Sequence, residues 1–249
     1  MPKGLMKARL ASRRRITRTL GVFLLEPEVE VSFLPGQHAN LGIRQQGKLI
    51  QGDYSIVSSP HEDFLEFFIE RVDDEHLTAR LFQLELGAQL LIQPPKGRFL
   101  LDRESRRPHH LMIATVTGIA PFVSMVRSLA VAERRSAPPG IHMALLQGAS
   151  YADEFGYDAE LWRTAKGHSW LTYIPTVSRP SRKPGWHGEI GRVETLIGKT
   201  LDSLQWTPGD TTAYLCGHLG MIEKGKKILA DRGFRRTQVR EEQYWEEKP

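Results

Sequence analysis

The sequence predicts two domains: an antiparallel β-barrel, then an α/β domain with a doubly wound parallel sheet. Three observations predict this. Up to about Leu101, short β-segments alternate with turn residues. The rhythm changes after the charged stretch Asp102–Arg107. Beyond it, apolar strands alternate with helical patterns. The division therefore falls near residues 102–108, giving domains 1–103 and 104–249. At about 150 residues per domain, a chain of 249 residues suggests one large or two modest domains.

The first 18 residues hold Lys3, Lys7, Arg9, Arg13, Arg14, Arg15 and Arg18 and no acid. Residues 1–15 accordingly read as a basic head before the first strand; a targeting sequence or a patch for an acidic partner has the same composition. From Ile16 onward, Pro35-Gly36 precedes a strand at Gln37–Ile43 and Gly47 precedes one at Leu49–Ser58. A strand at Phe64–Arg71 runs into Asp73-Asp74, and Leu90–Gln93 meets Pro94-Pro95 and Lys96-Gly97. Strands this closely spaced suit an antiparallel barrel or sandwich. One helix interrupts them at Leu77–Leu86, with Leu77, Leu81 and Leu84 at helical spacing and Gly87 as its capping glycine.

In the second half, His109-His110 reads as exposed linker and Leu111–Thr117 as a buried strand. Gly118 and Pro121 follow, then Phe122, Val126, Leu129 and Ala130 at a period near 3.6. Proline suits the first helical turn, where its missing N–H costs nothing. Further strands are expected at Ile141–Gln147, Trp170–Val177, Ala213–Cys216 and Thr237–Gln243. Helices lie between them, most clearly Met221–Arg232 before Gly233. Alternation of this kind builds a parallel sheet.

Composition narrows the function. Lys and Arg number 34 against 29 Asp and Glu, a net charge of +5. This mild basicity fits an acidic protein partner and, without a basic–aromatic stripe, gives no support for nucleic-acid binding. The single cysteine, Cys216, excludes an internal disulfide framework and any multi-cysteine metal site, and the scattered histidines suggest no ligand set. No continuous apolar run is long enough for a membrane span. A cytoplasmic protein, monomeric and without a bound metal, is the expectation. Gly198-Lys199-Thr200 lacks the leading glycine of a phosphate loop, Val193 standing there; neither a Gly-x-Ser-x-Gly elbow nor a His-Glu-x-x-His helix occurs.

A constellation in fixed order remains. Asp53-Tyr54-Ser55-Ile56 lies in the β half, His76-Leu77-Thr78-Ala79-Arg80-Leu81 opens its helix, and Pro95-Lys96-Gly97-Arg98-Phe99 closes the half. Thr115-Val116-Thr117-Gly118-Ile119-Ala120-Pro121-Phe122 then leaves the first strand of the second half. Val177-Ser178-Arg179 and Leu215-Cys216-Gly217 leave later strands, and Tyr244-Trp245 ends the pattern. From about Gln37 to Trp245 this order resembles the ferredoxin–NADP+ reductase family, specifically its compact bacterial ferredoxin/flavodoxin class.

The resemblance implies an FAD-binding barrel, an NADP(H)-binding α/β domain, and an acidic electron carrier, ferredoxin or flavodoxin, as partner. Tyr54 is similar to the residue that stacks on the flavin, Ser55 to the hydroxyl at its N5 edge. Ile56, Leu77, Thr78, Thr117, Tyr244 and Trp245 complete the FAD set. A buried strand tyrosine, a turn serine, a helix cap and last-strand packing are the structural alternatives for Tyr54, Ser55, Thr78 and the Tyr244-Trp245 pair. Thr117, Gly118, Pro121, Ser178, Arg179, Cys216, Gly217 and Met221 form the NADP set, with Ser178-Arg179 at the 2′-phosphate, where a guanidinium pairs with charge. Ser55 and Cys216 are the expected catalytic residues, Cys216 beside the nicotinamide; a buried small hydrophobe is its alternative reading.

Three positions depart from the family pattern. Gly52 stands where an arginine contacts the FAD phosphate, leaving Arg80 or another cation to substitute. Val116 stands at the first glycine of the nucleotide turn, and Ser150 at a second 2′-phosphate arginine, leaving Arg179 with Arg182 or Lys183 in support. The alternatives are a reductase for an oxygenase component, a quinone or ferric iron, and a flavin-binding protein that has lost NADPH turnover.

Overall fold

The computed structural model describes residues 4–72, 77–135, 140–180 and 186–244. The chain forms two compact units: residues 1–100 with 120–131, and 101–119 with 132–249.

The first unit is built on strands β1 (Met6–Arg15), β2 (Leu20–Pro27), β3 (His38–Gln45), β4 (Lys48–Ser55), β5 (Leu65–Glu70) and β6 (Gln89–Ile92), with the short helix α1 (Leu77–Leu81) between the last two. Every neighbour in the order β4-β3-β6-β1-β2-β5 is antiparallel. The bridge between Ile56 and Phe67 joins the two edges and closes the barrel, which removes the unpaired edges an open sheet leaves. Ala8, Leu10, Phe23, Leu25, Leu41 and Phe67 are among the side chains that fill it.

The expected basic head is corrected here: Met6–Arg15 is a central strand, paired with β2 and β6. Ala8 and Leu10 point into the core while Arg9, Arg14 and Arg15 are exposed, so the buried positions are apolar and most exposed ones charged. The guanidinium of Arg13 donates to the carbonyls of Leu81, Phe82 and Leu84 at 3.4, 2.8 and 2.9 Å. Carbonyls at a helix end lack intrahelical partners, and Arg13 supplies one. Helix α1 is five residues long, shorter than the Leu77–Leu86 expected. Gly87 takes φ +84° and its N–H bonds to Leu10, committing the chain to β6 beside β1.

The second unit contains β7 (His109–Thr115), β8 (His142–Ala149), β9 (Leu171–Val177), β10 (Glu189–Ile190), β11 (Thr211–Gly217) and β12 (Val239–Gln243). Their order is β10-β9-β8-β7-β11-β12, parallel throughout. Helix α2 (Ala120–Arg135) follows β7 through a 3-10 turn, Val116–Ile119. Helices α3 (Asp158–Gly167), α4 (Leu196–Leu204) and α5 (Leu219–Asp231) follow β8, β10 and β11. Leu111, Ile113, Ala144, Leu146, Ala213 and Leu215 form one face of the sheet, packed with residues of α4 and α5. The stretch Val116–Arg134 is long and apolar enough by composition to cross a membrane, with a mean hydropathy of 1.3, yet most of it is buried in the fold.

His109-His110 is a second correction, since the pair begins β7. The His109 ring stacks on Trp206, centroids 4.5 Å apart, and His110 is fully buried. The apolar run thus starts two residues earlier than its hydrophobic letters show, because a neutral imidazole with a partner can enter a core.

Candidate functional site

In the first unit the expected flavin residues lie where β4 ends. Consecutive strand residues face opposite sides, so Tyr54 and Ser55 diverge. Tyr54 shares the inner face with its pairing partner Ala39, packing half-buried against the barrel core; burial and the Asp53 charge push its phenol pKa up. Its ring lies over Gly52, where a β-carbon would come within 3.1 Å of Tyr54 Oη. The absent arginine is therefore replaced by room for the tyrosine ring. Ser55 is buried opposite His38, on the face where Asn40 donates to Asp53 at 2.9 Å. Ile56 sits in the core, and its N–H bonds to Gln37. Leu77 is likewise core. The Thr78 hydroxyl oxygen, in the first turn of α1, accepts the N–H of Val72, which precedes the helix, at 3.2 Å. Helix α1 packs against β4, and Arg80 Nε on that helix is buried with no hydrogen-bond partner among the described residues. An orphaned buried donor fits an anionic ligand.

In the second unit the crevice is set by topology. The strand order reverses between β7 and β11, and ligands of doubly wound sheets bind outside the carboxyl ends of strands at such a point. Two turns meet there. A β-carbon on Gly118 would lie 2.2 Å from the Cys216 carbonyl oxygen, and one on Gly217 (φ +128°) would lie 2.2 Å from Thr115 Oγ1. Only glycine permits either approach. Thr115 Oγ1 accepts the His218 N–H at 2.9 Å, tying the two strand ends together. The His218 imidazole in turn accepts the Gly220 N–H at 3.0 Å and caps α5. Thr117 and Gly118 are buried in the 3-10 turn. Pro121 stands in the first turn of α2, as expected.

Cys216 is fully buried; burial, reinforced by the Glu242 charge, pushes its thiol pKa well up, and the neighbouring Tyr244 hydroxyl opposes the shift. The structure thus brings Cys216 and Tyr244 together. Met221 is buried in the core of the sheet's α4–α5 face, and Trp245 lies outside the described residues, as do Arg182 and Lys183.

Ser178 and Arg179 follow β9 and are exposed; their N–H groups bond to the carbonyls of Ala149 and Ser150. Arg179 Nη1 donates to the Tyr151 hydroxyl at 3.1 Å, with the guanidinium 5.7 Å from that ring's centroid. The hydroxyl contact raises the arginine's pKa, and the Glu154 charge adds to it. Glu154 Oε2 accepts the N–H groups of Ser150 and Tyr151 at 2.8 and 3.1 Å. Sequence reasoning missed Tyr151 and Glu154. Their one signal was position, immediately after the strand whose end carries Ser150.

Among the described residues no group of three or more His, Cys, Asp or Glu is placed to hold a metal ion.

Comparison with known proteins identifies two matching domain families. Residues 7–100 match the oxidoreductase FAD-binding domain and residues 112–227 the oxidoreductase NAD-binding domain. The chain is 30% identical over 216 residues to ferredoxin–NADP reductase B of Sorangium cellulosum, covering 85% of each protein. It is 29% identical over 210 residues to the 2-halobenzoate 1,2-dioxygenase electron transfer component of Burkholderia cepacia, covering 83% of this chain and 57% of that one. A crystal structure of a ferredoxin NADP+ reductase from Neisseria gonorrhoeae with bound FAD and NADP shares the fold. Its TM-score is 0.82 at 22% identity, over 97% of this chain and 99% of the other.

Proposed function

The chain belongs to the ferredoxin–NADP reductase family and is an FAD- and NAD(P)-binding oxidoreductase, and from that premise we propose that it moves hydride between NADP(H) and FAD and single electrons between FAD and an acidic ferredoxin or flavodoxin. The observation that carries the reading is the pair of glycine turns at the sheet's switch point, with Arg179 at the end of the same sheet's next-but-one strand. Residues 1–103 serve as the FAD domain and 104–249 as the NADP(H) domain of a soluble, cytoplasmic monomer.

Bound FAD supplies the two-electron and one-electron chemistry. The protein binds, orients and excludes water. Tyr54 offers a flat ring for stacking, Ser55 a hydroxyl at the reacting edge, and Thr78 with Arg80 the contacts to the pyrophosphate. The resemblance assigns Ile56, Leu77, Thr117, Tyr244 and Trp245 to FAD as well. On the coenzyme side, Thr117, Gly118 and Pro121 hold the pyrophosphate turn. Gly217 and Met221 shape the crevice, and Ser178 with Arg179 bind the 2′-phosphate. The buried Cys216 thiol stays protonated and would lie as a compact neutral group behind the nicotinamide. Hydride transfer needs no general acid or base, so positioning accounts for the protein's part.

Stopped-flow mixing of the FAD-loaded protein with NADPH tests this. Prompt bleaching of the flavin's visible absorption, followed by reoxidation when ferredoxin or flavodoxin is added, is the expected result. No bleaching on mixing refutes hydride transfer. Bleaching without reoxidation by either carrier turns the assignment to the second reading, an oxygenase reductase, which the Burkholderia cepacia relative supports.

A further inference from the structure

Four non-glycine residues among those described adopt positive φ: Gln46, Arg106, Val116 and Gln205. Three are unbranched polar residues. Val116, at φ +42°, is the β-branched exception, and a branched side chain in this region is a genuine steric outlier. It heads the turn at the switch point, one residue after Thr115, which ties β7 to β11. Such strain persists only where surroundings over-determine it, and it concentrates at functional sites.

The surroundings are identifiable. The Val116 side chain packs with Ala149 and Val177, the last residues of β8 and β9, and with Phe155, whose ring stacks on Trp186 at 5.3 Å and 3°. Two residues on, Gly118 packs to the limit a glycine allows against Cys216 and Gly217 at the end of β11. The turn is thus tight at Gly118 and carries a valine at its head. A dinucleotide's pyrophosphate bonds to backbone at this kind of turn, and a glycine there permits the close approach.

We propose that Val116 is a specificity-determining residue that restrains pyrophosphate approach and weakens dinucleotide binding in exchange for packing with Ala149, Phe155 and Val177. The inference rests on the dinucleotide reading of this unit. It predicts a gain of function: Val116→Gly removes both the side chain and the strain, restoring at least one charged backbone hydrogen bond, an effect of about tenfold or more in affinity.

Calorimetric titration of the FAD-loaded protein with NADP+ and, separately, with adenosine 2′-monophosphate tests it. The second ligand carries the 2′-phosphate and no pyrophosphate. Val116→Gly is expected to lower the Kd for NADP+ about tenfold and leave that for adenosine 2′-monophosphate unchanged. A folded Val116→Gly protein with unchanged or weaker NADP+ binding overturns the inference, as does equal tightening of both ligands. If Val116→Gly does not fold, Val116→Ala decides, because it keeps the β-carbon: a few-fold gain for NADP+ alone supports the proposal and no gain overturns it. Failure of wild type and variant alike to bind either ligand refutes the dinucleotide reading itself.

Discussion

The buried histidine at the start of β7 makes a quantitative prediction. His110 is fully buried, with Nδ1 3.2 Å from the Tyr214 hydroxyl. That hydroxyl's oxygen also accepts the Asp102 N–H at 2.8 Å. The imidazole Nε2 is buried without a hydrogen-bond partner among the described residues. Burial pushes its pKa from 6.5 down to about 4; the Asp102 charge opposes this, while Arg240, His109 and Arg103 reinforce it. Because the folded value is the lower one, the unfolded chain binds the extra proton. Stability from this group is complete above pH 6.5 and is lost as pH falls toward 4, by about 3 kcal/mol in all. About 2 kcal/mol of it is gone by pH 5. The perturbation is His110→Asn, which keeps an acceptor for Tyr214 but does not titrate. Urea unfolding of FAD-loaded wild type and variant from pH 7 to pH 5 measures the difference. The variant is expected to be less stable at pH 7 and to gain on wild type by about 2 kcal/mol by pH 5. A gap between the two that stays constant with pH refutes the argument, whatever the Asp102, Asp202 and Asp210 carboxylates contribute, since both proteins share them.

Three further outcomes are expected. Arg179→Ala lowers kcat/KM for NADPH about ten- to a hundredfold, the loss of one charge-assisted contact, and leaves kcat/KM for NADH nearly unchanged; a parallel fall with both coenzymes assigns Arg179 to the fold. Tyr54→Ala weakens FAD binding more than Ser55→Ala, whereas Ser55→Ala slows flavin reduction by NADPH with flavin retained; equal flavin loss in a titration of the two apoproteins contradicts that split. Reduction of an acidic carrier, measured below saturation, slows as ionic strength rises through about 0.15 M, where exposed charges a Debye length apart are screened; a rate indifferent to salt removes the electrostatic docking argument.

What was legible in the sequence was whatever a short stretch decides by itself. The barrel strands from Gln37 onward and five of the six parallel strands appeared through turn residues and apolar runs, both local consequences of backbone geometry, whereas the two-residue β10 did not. β1 did not appear, since its inward side is marked by three apolar residues, Met6, Ala8 and Leu10, in a stretch dominated by basic ones. What makes it a strand is pairing with β2 and β6 and the docking of Arg13 on the end of α1, some 68 to 71 residues away. His110 was hidden for the same reason, its partner Tyr214 lying 104 residues on. α1 stopped early because the chain must reach β6, a demand no helical spacing records.

The candidate site divides along that line. Gly118 and Gly217 stood out in sequence because the function of a glycine is to have no side chain, and its neighbours need not be known. Arg179 stood out only as a residue following a strand. Its orientation depends on Tyr151, 28 positions earlier, whose N–H together with that of Ser150 is held by Glu154. Val116 joins the two kinds. Its identity shows that a glycine is missing, but only the fold shows that the chain keeps the glycine's left-handed backbone and fills the freed space with packing. A substitution that retains the conformation and opposes it sterically is held in place by its contacts. The consequences of removing Val116 are therefore set by Ala149, Phe155 and Val177 as much as by the turn itself.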